Sequence, residues 1–136
     1  MEKIDTTYAG EGMYREFILD HYKSPRNSGS IENADIIHKE VNPLCGDQVE
    51  IFLKLNGSGT IQEVKHLSRG CAISVSSMSL LSETLKGKSL KDAAGIRKED
   101  IIGMLGIPVG PVRIKCALLC LYALKDGIVK YESAKP

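Results

Sequence analysis

Apolar side chains between Met13 and Tyr22 fall at positions 13, 14, 17, 18 and 22, the stripe of one helical face, and predict a helix over 13–22. Pro25 ends it, because the residue before a proline avoids the helical region. After a polar loop over 29–35 the period shortens. Residues 36–41 read as a short strand, and 49–55 alternate more clearly between Val, Ile or Leu and polar residues. Asn56-Gly57-Ser58-Gly59 has the composition of a hairpin turn, with 61–67 as the return strand. The helical period then comes back. Residues 72–86 carry serine on one side and Leu, Met and Val on the other, and Gly87 stops them. Residues 89–94 and 98–105 are short helical pieces, the first capped by Ser89 with Asp92 three positions on. Pro111 suits a first helical position, 112–125 form an apolar final helix with Gly127 near its end, and 133–136 are expected to fray. A three-stranded antiparallel sheet packed with an N-terminal helix and a long C-terminal helix is an α+β fold.

Composition narrows the function more than the fold. A chain of 136 residues fits one domain, taken as 1–136, and buries roughly two-thirds of its unfolded surface without needing disulfides. Lys and Arg number 18 against 17 Asp and Glu, a formal charge of +1, which argues against nucleic-acid binding by bulk electrostatics. Residues 1–10 hold no apolar signal-peptide core, and no apolar run approaches a membrane span. The expected location is cytoplasmic, where thiols stay reduced. Cys45, Cys71, Cys116 and Cys120 are therefore read as ligands, nucleophiles or core residues rather than disulfides.

The candidate chemistry starts at Asn42-Pro43-Leu44-Cys45-Gly46-Asp47. A soft thiol and a hard carboxylate stand two residues apart, facing one side on a flat strand, with Gly46 free to bend between them. Cys71 and Cys116 each fall where a helix is expected to start, beside Arg69 and beside Arg113 and Lys115, where cations and the helix dipole favour a thiolate. Three thiols and one carboxylate make a tetrahedral set for zinc or for the open edges of an iron–sulfur cluster. The basic neighbours would offset the net negative charge of such a centre. Asp47 as the cap of a turn is the plain alternative. Cys120, in Ala117-Leu118-Leu119-Cys120-Leu121, reads as a core cysteine. His38-Lys39-Glu40 matches half of a zinc deaminase signature whose second half is absent, so His38 and Glu40 read as strand-surface residues. Gly87-Lys88-Ser89 follows a helix and lacks the earlier glycine of a phosphate loop. His66 reads as structural, and His21 as a complement to a helix C-terminus.

Four segments in order resemble the IscU/SufU/NifU-N-terminal family of iron–sulfur cluster assembly scaffolds over nearly the whole chain. They are Asn42 to Asp47, Arg69-Gly70-Cys71-Ala72-Ile73-Ser74, Pro111-Val112-Arg113-Ile114-Lys115-Cys116, and Asp20-His21-Tyr22-Lys23-Ser24-Pro25-Arg26-Asn27. The resemblance implies that Cys45, Asp47, Cys71 and Cys116 hold a 2Fe-2S cluster, with Zn2+ as the alternative occupant. It also implies that Cys116 accepts sulfur from a cysteine desulfurase, and that the cluster passes to apo iron–sulfur acceptor proteins. A scaffold of this kind is not a turnover enzyme. Lys115 stands where the IscU branch has histidine and is similar to the SufU branch, yet the step from Cys71 to Cys116 is too short for the SufU insertion. Gly110-Pro111-Val112-Arg113 replaces the chaperone-recognition Leu-Pro-Pro-Val-Lys, so the resemblance does not extend to a dedicated chaperone. The rival readings are a zinc-binding SufU-like sulfurtransferase accessory and a structural zinc domain with inert thiols.

Overall fold

The computed structural model describes residues 16–43 and 46–134. A first helix, α1, runs over 16–23 and stops at the Ser24-Pro25 step; the expected start at Met13 lies outside the described residues. Strands β1 (Ile36–Asn42), β2 (Asp47–Leu55) and β3 (Ile61–Arg69) form an antiparallel sheet in sequence order. Its register pairs Ile36 with Leu53, Asn42 with Asp47, and Gln48 with Arg69. The β2–β3 turn is built on Asn56, whose Oδ1 accepts from the N–H groups of Ser58 and Thr60, both at 3.0 Å.

Helices α2 (Ala72–Leu85), α3 (Leu90–Ala94) and α4 (Lys98–Leu105) follow. Ser89 caps α3 as expected, its side chain accepting from the Asp92 N–H at 3.0 Å. The last helix, α5, spans Pro111–Ala134 and is longer than the sequence suggests. Gly127 lies inside it rather than at its end, and Ser133 and Ala134 are still helical. The reason is packing. A Cβ at Gly127 would stand 3.1 Å from both His38 Cβ and Ile36 Cγ2, so the missing side chain lets α5 lie directly on β1.

Helices α2 and α5 cover one face of the sheet. Val49, Ile51 and Leu53 of β2 meet Met78, Leu81 and Leu85 of α2 and Leu121, Leu124 and Ile128 of α5 in a continuous buried core. The opposite face leaves Ile37, Val41 and Leu67 exposed. Among the described residues no helix is long and apolar enough to cross a membrane.

The serine side of α2 is as buried as its apolar side: Ser74, Ser76, Ser77, Ser79 and Ser82 are all at most 1% exposed. Short hydroxyls let the chain approach closely while pairing the polar groups it brings. Ser76 Oγ donates to the Ile18 carbonyl at 2.7 Å, Ser79 Oγ lies 2.7 Å from His21 Nδ1 and accepts from the Arg26 N–H at 2.9 Å, and Asn27 Nδ2 donates to Ser82 Oγ at 3.0 Å. The serines thus form the polar seam that ties residues 18–27 to the helix behind the candidate site.

Candidate metal centre

Asp47 is the first residue of β2 and points to the helix-covered side, where Val49 and Ile51 follow it. Gly46 before it adopts φ +75°, a left-handed turn closed by its N–H on the Asn42 carbonyl at 2.7 Å. Cys71 is the N-cap residue of α2, with φ −74° and ψ 166°. The Asp47 carboxylate reaches across to it: Oδ1 accepts from the Cys71 N–H at 3.1 Å, and Oδ2 lies 3.4 Å from the Cys71 Sγ. One carboxylate therefore caps the helix and contacts the thiol.

Gly70 makes this possible. It adopts φ +138°, and a Cβ there would fall on the Asp47 carboxylate, 2.6 Å from its Cγ. Ser74, one turn into α2, donates its hydroxyl to the Cys71 carbonyl at 3.1 Å and lies 3.7 Å from Cys71 Sγ.

Cys116 comes from α5. The donor atoms of Asp47, Cys71 and Cys116 all lie within 4.8 Å of one another, close enough to share one metal ion. Asp47 and Cys116 are buried and Cys71 is half-buried, so the group opens to solvent on the Cys71 side. Ile18, Ile73, Leu105 and Ala117 surround it with apolar contacts. Cys116 stands five residues past Pro111, beyond the first helical turn, so the helix dipole that bears on Cys71 has faded there. Arg69, Arg113 and Lys115 carry exposed side chains on the elements that supply the thiols.

The structure thus brings together three of the four residues singled out in the sequence; Cys45 lies outside the described residues. Cys120 is fully buried in the core, and burial pushes its thiol up to about 12. His66 is also fully buried, with Nε2 2.8 Å from the Arg26 carbonyl and Nδ1 2.8 Å from Ser68 Oγ, which is the structural role expected of it. His21 packs on Ser79 rather than merely complementing a helix end. His38 and Glu40 correct the sequence reading. They share the inward parity of Ile36, so their side chains face α5 and are only 9% and 27% exposed.

The NifU-like N terminal domain family model matches residues 13–136. The chain belongs to this family. It is 38% identical over 128 residues to the iron-sulfur cluster assembly scaffold protein IscU of Escherichia coli (strain K12), spanning 90% of this chain and 96% of that one. It is 34% identical over 137 residues to the zinc-dependent sulfurtransferase SufU of Bacillus subtilis (strain 168), spanning 88% and 92%. A crystal structure of a putative SUF-system iron-sulfur cluster assembly scaffold from Fervidobacterium islandicum AW-1 superposes with TM-score 0.70 at 30% identity, covering 88% of this chain and 99% of that one. The N-terminal part of a nitrogen-fixing NifU-like protein from Brucella abortus shares the fold, with TM-score 0.74 at 21% identity and coverage of 92% and 98%. The α+β architecture is thus the family's.

Proposed function

We propose that this protein is a scaffold that receives sulfur from a cysteine desulfurase, assembles a 2Fe-2S cluster and passes it to apo-proteins. The observation that carries the reading is the convergence of Asp47, Cys71 and Cys116 from β2, α2 and α5. Thiolates suit iron–sulfur clusters, and a carboxylate in the same set is a harder, poorer match for that iron. Such a donor set holds a cluster while leaving one corner ready for an incoming thiol. That is the property a donor of clusters needs and a resident redox centre does not. In this reading Cys45 completes the set, and Cys116 is the thiol that takes sulfur, with the basic Lys115 beside it in sequence.

A second reading has a specific support. The same donors fit tetrahedral zinc, a relative at 34% identity is a zinc-dependent sulfurtransferase, and Lys115 resembles that branch. Zinc would then hold the thiols, and a cysteine would carry persulfide to another scaffold.

Anaerobic incubation with a cysteine desulfurase, cysteine and ferrous iron, with a thiol reductant to bring the delivered sulfur to sulfide for iron and sulfide analysis, and without it for mass mapping of persulfide, separates the two. Bound iron and acid-labile sulfide in equal amounts, lost in Cys71→Ser and kept in Cys120→Ser, support the scaffold. Persulfide on a zinc-loaded protein that never accumulates iron supports the sulfurtransferase. Metal retained in Cys71→Ser and lost in Cys120→Ser would defeat both.

A further inference from the structure

The helix-facing side of β2 is apolar from Val49 to Leu53, but the adjacent row of β1 is not. After Ile36 that row continues with His38 and Glu40, and the His38 Nε2 lies 2.7 Å from the Glu40 Oε1. Asp126 of α5 joins them, and the donor atoms of all three residues lie within 4.8 Å of one another. Gly127 sets this approach, since the absent Cβ is what allows α5 to rest against His38 and Ile36. An imidazole and two carboxylates from two elements therefore converge where the alternation would otherwise place core side chains.

We propose that His38, Glu40 and Asp126 form a second metal site, for a divalent transition-metal ion that favours nitrogen and oxygen donors. Imidazole and carboxylate suit Mn2+, Fe2+ and Zn2+, whereas soft thiolate-seeking ions have no partner there. Two carboxylates and a divalent cation sum to neutrality, so the ion removes the repulsion between Glu40 and Asp126. To bind, the Nε2 lone pair of His38 must face the ion, so its proton resides on Nδ1 or leaves to solvent. Three protein donors leave further coordination positions for water, which makes the ion exchangeable.

The site is distinct from the thiol centre. Four residues of strand separate His38 from Asn42 beside Asp47, about 13 Å. Ten residues of helix separate Cys116 from Asp126, about 15 Å. Both elements lead away from the thiols by far more than a metal–ligand bond, so the second site stands whether or not the first holds a cluster.

The test uses Mn2+, which thiolates bind poorly, added to the full chain freed of metal by chelation, so that no zinc competes for the nitrogen and oxygen donors. Free Mn2+ is followed by electron paramagnetic resonance, and the bound position by the loss of backbone amide NMR signals. The expected result is saturable binding of one ion, with signals at residues 38–40 and 125–127 lost first. His38→Gln and Asp126→Asn should each weaken it at least tenfold, in line with the effect of disturbing metal-ligand shells, while Cys71→Ser leaves it unchanged. Asp126 is exposed, so its replacement does not threaten the fold. No binding up to millimolar Mn2+, signal loss centred elsewhere, or wild-type affinity in both variants would overturn the proposal and leave His38 and Glu40 as a simple hydrogen-bonded pair.

Discussion

Asp47 joins fold and site in one side chain, because the carboxylate that contacts Cys71 Sγ also accepts the Cys71 N–H. Asp47→Ala should therefore lower stability by about 1 kcal/mol, the usual worth of a hydrogen bond to an otherwise orphaned amide, and leave the fold intact. Its effect on cargo runs the other way. With the hard donor gone, a reconstituted cluster should decay more slowly and transfer more slowly to an acceptor, as followed by absorbance beside the wild type. Equal decay and transfer at equal metal content would make Asp47 a capping residue alone. At this scale the site was partly legible. The Cys-Gly-Asp spacing pointed to Asp47. That Gly70 exists to make room for the Asp47 carboxylate follows only from the contact itself. His38 and Glu40 were misread because two polar residues in a strand resemble a solvent face whichever way they point.

For the elements, the telling case is α5 against β1. Glycine inside a helix is usually worse than alanine by roughly 0.5–1 kcal/mol. At Gly103 of α4 nothing stands within 4 Å of an added Cβ, so Gly103→Ala should stabilise by about that amount. At Gly127 the same change presses on His38 Cβ and Ile36 Cγ2, atoms fixed close to the strand backbone that cannot swing away. Overpacking of this kind costs about 1–3 kcal/mol, which exceeds the propensity gain. Gly127→Ala should thus be net destabilising by about 1–2 kcal/mol. Urea unfolding of the two variants side by side decides it, and a Gly127→Ala protein as stable as Gly103→Ala would show that α5 does not bear on β1 here. A glycine late in an apolar helix reads from sequence as a stop signal. Its packing role depends on a strand some ninety residues earlier.

Across the whole molecule, buried histidines couple stability to pH. His66 is held below its ordinary value of 6.5 chiefly by burial, opposed by its hydrogen bond to the Arg26 carbonyl. His21 is lowered in the same direction, again mainly by burial. Both hold a proton less readily when folded than when unfolded, so the unfolded chain binds more protons as pH falls below 6.5. Stability is therefore level above about pH 7 and declines from pH 6.5 downward, by at most about 1.4 kcal/mol per pH unit for each histidine. Thermal melts of metal-free protein between pH 7.5 and 5 should show the decline, and His66→Gln should flatten it. An unchanged slope in that variant would assign the acid sensitivity elsewhere. Since the His66 ring binds the Arg26 carbonyl and His21 binds Ser79, the first contacts to loosen in acid are those holding residues 21–29 against α2 and β3.

Local sequence alone set the order and type of the elements, because strand and helix periods are local and the turn residues at Asn56, Gly87, Ser89 and Pro111 punctuate them. It also determined the chemical vocabulary of the site, since thiols, a carboxylate and their glycines keep that meaning wherever they lie. Which donors meet depends instead on long-range packing. Cys71 and Cys116 are far apart along the chain, and their convergence on Asp47 depends on α2 and α5 packing on the same face of the sheet. The same packing buried the serine row of α2 and turned His38 and Glu40 toward Asp126. Periodicity states that an element has two faces, and the neighbours that cover them come from distant parts of the chain.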